Sequence, residues 1–195
     1  MSFINTKYGT LAVDEKKDAW FVRSLQKHST QIDDIDLVLQ WISEDSIVVD
    51  VGAHVGLFTI PFAKKARHVY AIEPNKDSRI FLEKNVADNG IASKVTIFPI
   101  VIADATKNFL KSNDLPNAET QYHEINSGVG VIGQPLDAVV DKVNFIKIDV
   151  EGMEPEVLRG SSSLIDRWKP IIFIEINSKA LHDHKHKRSD IEHFF

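Results

Sequence analysis

Apolar and polar positions along the chain follow two periods in turn. Ile32, Ile35, Val38, Leu39 and Ile42 recur at helical spacing behind the capping candidates Ser29 and Thr30, which predicts an amphipathic helix ending near Ser43. The β-branched run 47–51, Ile-Val-Val-Asp-Val, is continuous enough for a strand covered on both faces. Gly52 and Gly56 then open a helix reaching Lys65, with Pro61 expected to kink it or to sit near its first turn. The unit recurs as strand 68–72, the turn Glu73-Pro74-Asn75 and helix 76–88, closed by Asn89-Gly90. Further strands are expected over 95–101, 145–150 and 171–176, with short helices over 136–140, 155–159 and 162–168. Strands and helices that alternate in this way predict an α/β fold with a doubly wound, mostly parallel sheet.

Three stretches depart from that rhythm. Residues 104–135 lose clear periodicity and read as an irregular or hairpin-like insertion with apolar pieces at 108–110 and 129–132, a natural place for substrate specificity. Residues 3–13 around Tyr8-Gly9 suggest a small hairpin within an N-terminal flanking segment, 1–28. After the fifth strand, 191–195 reads as the start of a helix and no sixth or seventh strand is visible. The sheet edge left open there suggests a homodimer contact. At 195 residues the chain is expected to form one domain, 1–195.

Composition narrows the function. With 43% hydrophobic and 26% charged residues the chain is that of a globular protein. A net charge of −5 and the lack of a basic stripe argue against nucleic-acid and anionic-membrane partners. The longest apolar-looking stretch, 47–63, is interrupted by Asp50 and His54, so no membrane span is expected. No cysteine and no leader pattern at the start fit a cytoplasmic protein. The alternating run His182-Asp183-His184-Lys185-His186 reads as a solvated loop, and Trp20, Trp41 and Trp168 as packing residues.

In an open α/β sheet ligands bind beyond the carboxyl ends of the strands, and those ends carry Asp50, Glu73, Asp104, Asp149 and Glu175. Asp50-Val51-Gly52-Ala53-His54-Val55-Gly56 places an acid before two glycines where backbone can approach a ligand. A dinucleotide fingerprint would have a middle glycine; His54 occupies the loop instead, which weakens a nicotinamide oxidoreductase reading. Glu73, about twenty residues on, is placed to accept hydrogen bonds from ribose hydroxyls. Structural alternatives stand beside these roles. The glycines could serve helix packing, Asp149 could pair with Lys147, Asp104 could form a turn, and Glu154 could favour a helix N-terminus.

Val48 to Gly56 resembles motif I of class I S-adenosylmethionine-dependent methyltransferases, and Tyr70-Ala71-Ile72-Glu73-Pro74-Asn75 resembles their second motif. Leu136-Asp137 followed by Phe145-Ile146-Lys147-Ile148-Asp149-Val150-Glu151-Gly152-Met153-Glu154 resembles the signature of the FkbM-type methyltransferases. The resemblance implies a Rossmann-like methyltransferase that uses S-adenosyl-L-methionine for O-methylation of a small-molecule hydroxyl, with a sugar or glycan favoured as acceptor. It implies that Asp50, Gly52, Ala53, His54 and Gly56 line the methionine part of the cofactor, that Glu73 holds the ribose and that Asp104 meets the adenine edge. Asp149 or Glu151 is the candidate base for the acceptor hydroxyl. A less favoured route has Asp149, Glu175 and Asn177 hold Mg²⁺. The rival from another class is a non-catalytic or degenerate cofactor-binding module.

Overall fold

The structure, a computed structural model, describes residues 1–26, 30–111, 121–125 and 130–195. The capping candidate Ser29 and the start of the 129–132 piece lie outside them. The chain begins with the hairpin β1 (Ser2–Thr6) and β2 (Gly9–Val13), then helices α1 (Ala19–Gln26) and α2 (Thr30–Leu39). The units β3 (Ile47–Val51), α3 (Thr59–Lys65), β4 (His68–Ile72), α4 (Lys76–Asp88) and β5 (Val95–Phe98) follow. Next come β6 (Val101–Ile102), β7 (Lys107–Lys111), β8 (Tyr122–Ile125) and β9 (Val131–Gln134). β10 (Phe145–Ile148), α5 (Glu154–Gly160), α6 (Ser162–Trp168), β11 (Ile171–Ile174), α7 (Ser178–Asp183) and α8 (Arg188–Glu192) complete it.

The main sheet runs β11-β10-β3-β4-β5, every neighbour parallel. The chain winds outward from β3 through β4 to β5, then returns to the other side of β3 for β10 and β11. The strand order therefore reverses between β3 and β10, and a crevice opens at their carboxyl ends. Alternation sends Val48, Val69, Ala71 and Phe145 to one face, against Ile35, Phe62 and Leu82. Val49, Val51, Ile146 and Ile148 face the other way, onto Leu136, Val157, Leu158 and Leu164. Covered on both sides, these strands need the continuous apolar runs that the sequence carries. Pro61 is the third residue of α3, within its first turn, between Ile60 and Phe62, whose amides donate to Gly56 O and Phe58 O.

Buried Asn85 of α4 ties this layer to the rest: its Nδ2 donates to Ala12 O at 3.0 Å and Val55 O at 2.8 Å, and its Oδ1 accepts from Ala12 N at 2.7 Å. One side chain thus holds the N-terminal hairpin and the glycine loop on the same helix.

Three expectations change. The strand expected over 95–101 is two strands. Pro99 lacks an amide to continue the ladder, and Val101 and Ile102 leave the main sheet to pair in parallel with Gly133 and Gln134. The 104–135 insertion is ordered where described, as a second sheet β6-β9-β7-β8 with β7 antiparallel to both neighbours. Buried Phe109 packs so closely on Gly133 that a Cβ there would lie 2.2 Å from its ring. The tail forms α7 and α8, whose Leu181 and Ile191 are buried in the core beneath β10. Trp41 is exposed, and Trp168 is partly exposed with its Nε1 donating to Asp141 O.

Candidate active site

The crevice predicted from topology holds a cavity of about 170 Å³, an order of magnitude more than one water requires. Its walls come from the β3–α3 loop (Gly52, Ala53, His54), the end of β4 (Ile72, Glu73), Ile100 to Ile102, Tyr122 of β8, and Lys147, Asp149, Val150, Glu151 and Met153 after β10.

Glu73 is buried, and burial pushes its carboxyl above the usual range; the His54 side chain, the Asn75 and His54 amides and Lys147 pull it back. Its Oε2 accepts from His54 N and its Oε1 from Asn75 N, each at 2.7 Å. A carboxylate has about four acceptor positions, so two amides fix its orientation and leave capacity facing the cavity. His54 adopts φ +49°, an uncommon conformation for a residue with a side chain, and places its ring against Phe21 and 3.4 Å from Asp18.

Gly52 has φ +81°, and a Cβ there would lie 1.8 Å from the Asp149 carbonyl oxygen. The two strand-end loops therefore touch backbone to backbone, and only glycine fits.

Lys147 lies at the centre of the floor. Its Nζ donates to Gly52 O at 2.9 Å and pairs with Asp149 at 3.1 Å and Asp50 at 3.3 Å. Burial alone would lower its pKa, but the two carboxylates outweigh burial and hold it above the usual lysine value. The reading of Lys147 as a satisfied partner of Asp149 describes this geometry, extended by a second acid and a carbonyl.

Several candidate residues stand away from the cavity wall. Asp50 is fully buried beneath it, accepting from Thr59 Oγ1 at 2.6 Å as well as pairing with Lys147, so it supports the loop from below. Gly56, φ +95°, lies against Leu82 and lets α3 approach α4. Asp104 does not line the cavity. It pairs with Lys107 at 3.0 Å and Arg159 at 3.7 Å; the protein around it works against ionisation, but these two cations outweigh that and lower its pKa. On that wall stand Ile100, Val101 and Ile102.

On the other side of the mouth Asp149 and Glu151 both line the cavity, and Glu151 adopts φ +51° with Asn177 Nδ2 donating to it at 3.4 Å. Glu154 is buried and folds back to accept from Gly152 N at 3.0 Å; burial raises its pKa. Glu175 follows β11, held above the usual carboxylate range by desolvation and the Asp149 charge. Asn177 spends its side-chain oxygen on the Lys179 and Ala180 amides as the cap of α7, which removes one oxygen from the Mg²⁺ set. Among the described residues no three His, Asp or Glu side chains converge as a metal site.

Tyr122 is the lining residue that sequence reasoning missed. It is buried, its hydroxyl makes no hydrogen bond among the described residues, and burial together with the Glu73 charge raises its pKa. Phe109 and Tyr122 are the two aromatic residues in 104–135, the one signal in that polar stretch. The histidine run is also more than solvated loop: His184 stacks on His123 of β8 with 5.0 Å between ring centroids, and its burial pulls its pKa down to about 4.

Comparison with known proteins adds the family. The model of the methyltransferase FkbM domain matches residues 50–192, which include both strand-end loops and the whole cavity floor. This chain belongs to the FkbM methyltransferase domain family. Membership implies S-adenosylmethionine as methyl donor, and it removes the nicotinamide alternative. The chain is 26% identical over 174 residues to the hexuronic acid methyltransferase AglP of Haloferax volcanii, covering 85% of this chain and 69% of that protein. It is 25% identical over 146 residues to Methyltransferase 1 of Beauveria bassiana, spanning 60% of this chain and 59% of the relative. Solved structures show the same fold. The FkbM methyltransferase of Methylobacillus flagellatus matches with TM-score 0.52 at 23% identity, over 77% of this chain but only 36% of that one. Precorrin-6y C5,15-methyltransferase of Geobacter metallireducens matches with TM-score 0.56 at 12% identity, over 94% and 76%. Among the described residues no helix is long and apolar enough to cross a membrane.

Proposed function

We propose that this FkbM-family domain transfers a methyl group from S-adenosylmethionine to a hydroxyl oxygen of a sugar or glycan. The observation that carries the reading is the placement of Glu73 and Asp149 on opposite walls of one cavity, with the Gly52 loop between them. A carboxylate with spare acceptor capacity, next to Ile72, Ile100 and Ile102, fits a nucleoside: the acid meets ribose hydroxyls and the apolar side chains meet the base. On this assignment Glu73 holds the ribose, Gly52, Ala53 and His54 flank the methionine part, and Asp50 and Gly56 act from behind the loop.

When bound, S-adenosylmethionine supplies an electrophilic methyl group on a sulfonium. The protein's task is to hold an acceptor oxygen in line with it and to take the hydroxyl proton. Positioning of this kind supplies roughly 7 to 11 kcal/mol of the barrier reduction. Asp149 is the favoured base because Lys147 fixes one of its oxygens at 3.1 Å while the side chain remains on the wall. Glu151, held by Asn177, is the alternative base. The sugar acceptor is supported by the likeness to AglP, whose name gives a hexuronic acid as its substrate.

Calorimetry with S-adenosylmethionine and S-adenosylhomocysteine tests the cofactor half. Binding weakened at least about a hundredfold in Glu73→Ala is expected. Asp149→Asn is expected to keep binding yet lose about a hundredfold or more in transfer to a sugar acceptor, the range of a general base. A folded protein that binds neither ligand would move the reading to a non-catalytic module.

A further inference from the structure

The first turn of α2 reaches the cavity and brings an amide to its wall. Gln31, Ile35 and Val38 fall at i, i+4 and i+7 and share one face of the helix. Ile35 and Val38 are buried in the same core as Val48 of β3. At the end of α3, Lys65 Nζ donates to Leu39 O, the last residue of α2, at 2.6 Å. The two helices therefore finish side by side, and both begin at the carboxyl ends of the strands. α3 begins there directly after Leu57 and Phe58, and α2 has Gln31 as its second residue; all three residues line the cavity.

Gln31 Oε1 is buried and has no hydrogen-bond partner among the described residues. A buried acceptor left unmade costs the free protein stability, and a ligand donor that reaches it recovers that cost. Lys147 on the same wall does not serve, because its three N–H groups meet Gly52 O, Asp149 and Asp50. Gln31 also lies outside residues 50–192, so the family domain assigns it no role.

Its position selects the ligand group. Across the sheet, Glu73 follows β4 and the Gly52-Ala53-His54 loop follows β3. α4 approaches α3 through Gly56 and Leu82, on the β4 side. α2 reaches the other way, and the charge of Asp34, one turn past Gln31, acts on Glu175 just beyond β11. Gln31 and Glu73 thus stand on opposite sides of the loop. A cofactor with its ribose on Glu73 and its sulfonium beside the loop carries its amino-acid end towards Gln31. That end offers an ammonium, a group made entirely of donors.

We propose that Gln31, from outside the family domain, is a binding residue for the amino-acid end of S-adenosylmethionine, with its Oε1 accepting from the α-ammonium. The inference rests on the transfer reading above, in which this cavity holds that cofactor.

The test is calorimetry on the whole chain with S-adenosylhomocysteine and with its analogue lacking the α-amino group. Wild type is expected to prefer S-adenosylhomocysteine by about tenfold or more, the loss of a charge-assisted hydrogen bond. In Gln31→Leu that preference should shrink about tenfold, through weaker binding of S-adenosylhomocysteine and nearly unchanged binding of the analogue. The free leucine variant should unfold at a midpoint no lower than wild type, since an unpaired acceptor has been removed. Gln31→Glu keeps the acceptor oxygen and is expected to bind S-adenosylhomocysteine within about threefold of wild type or more tightly. The inference is overturned if Gln31→Leu leaves S-adenosylhomocysteine binding unchanged, if it weakens both ligands equally, or if Gln31→Glu loses as much as the leucine variant. Should the leucine variant not fold, the glutamate variant and the analogue decide, and a wild type that binds both ligands alike also overturns it. A folded wild type that binds neither ligand strikes the transfer reading itself; each of the other failures leaves that reading standing.

Discussion

On the side of the cavity built by β3 and β4, the two acids are held by named partners. Glu73 accepts two backbone amides, Asp50 has Thr59 and Lys147, and the Gly52 backbone touches Asp149 with no room for a methyl group. On the side built by β8 and the ends of β10 and β11, bonding is sparse. Tyr122 has a hydroxyl without a hydrogen bond among the described residues, and Glu175 is exposed. The difference teaches what each side can recognise. A closed network holds one ligand shape and cannot adapt, as a common cofactor permits. Uncommitted groups select by charge and hydrogen-bonding capacity, as an acceptor site must.

The largest loss of cofactor binding is expected from Gly52→Ala. The new Cβ would overlap a backbone oxygen in a conformation that side chains rarely adopt, so the two loops must separate. A stability loss of about 2 kcal/mol or more by chemical denaturation is expected, with cofactor binding abolished. A variant with wild-type stability and binding would show that the loop contact is dispensable.

Lys147→Met comes next. It leaves Asp50, which is wholly buried, without its cation, and breaking a buried pair this way typically costs about 3 to 5 kcal/mol. If unfolding shows the variant is folded, its transfer rate should fall further than its affinity for S-adenosylhomocysteine, because Asp149 also loses the group that orients it. Equal losses in both would mean that Lys147 serves the loop alone.

The smallest effect belongs to the open side. Tyr122→Phe removes a hydroxyl that no described group uses, so stability should stay within about 0.5 kcal/mol of wild type by thermal unfolding. Binding of S-adenosylhomocysteine or the acceptor should weaken about three- to tenfold if the hydroxyl meets a ligand, a loss of one ordinary hydrogen bond. A stability loss like that of Lys147→Met would mean the two sides are equally committed.

How legible each side was in the sequence follows the same division. The main sheet and its helices announce themselves through local period: β3 and β4 occupy 47–51 and 68–72 as read, and α4 spans 76–88 as read. The insertion does not, since β7, β8 and β9 are short, mostly polar strands stabilised by one another and by Phe109 rather than by a buried face of their own. Asp104 shows how ion pairing can hold a candidate residue off the cavity wall. Its place after a strand suggests a ligand contact, but Lys107 three residues on and Arg159 from α5 draw it into ion pairs.

The sequence by itself determined the family, the parallel sheet and the positions of Gly52 and Glu73, because strand period, glycine spacing and motif order are local properties of the chain. Only the tertiary structure decided that Asp50 supports the cavity from beneath, that Tyr122 reaches its wall, and that Lys147 is shared among three acceptors. Those facts depend on which side chains from distant segments arrive at one point, and burial and pairing at that point set the charge that an acceptor meets.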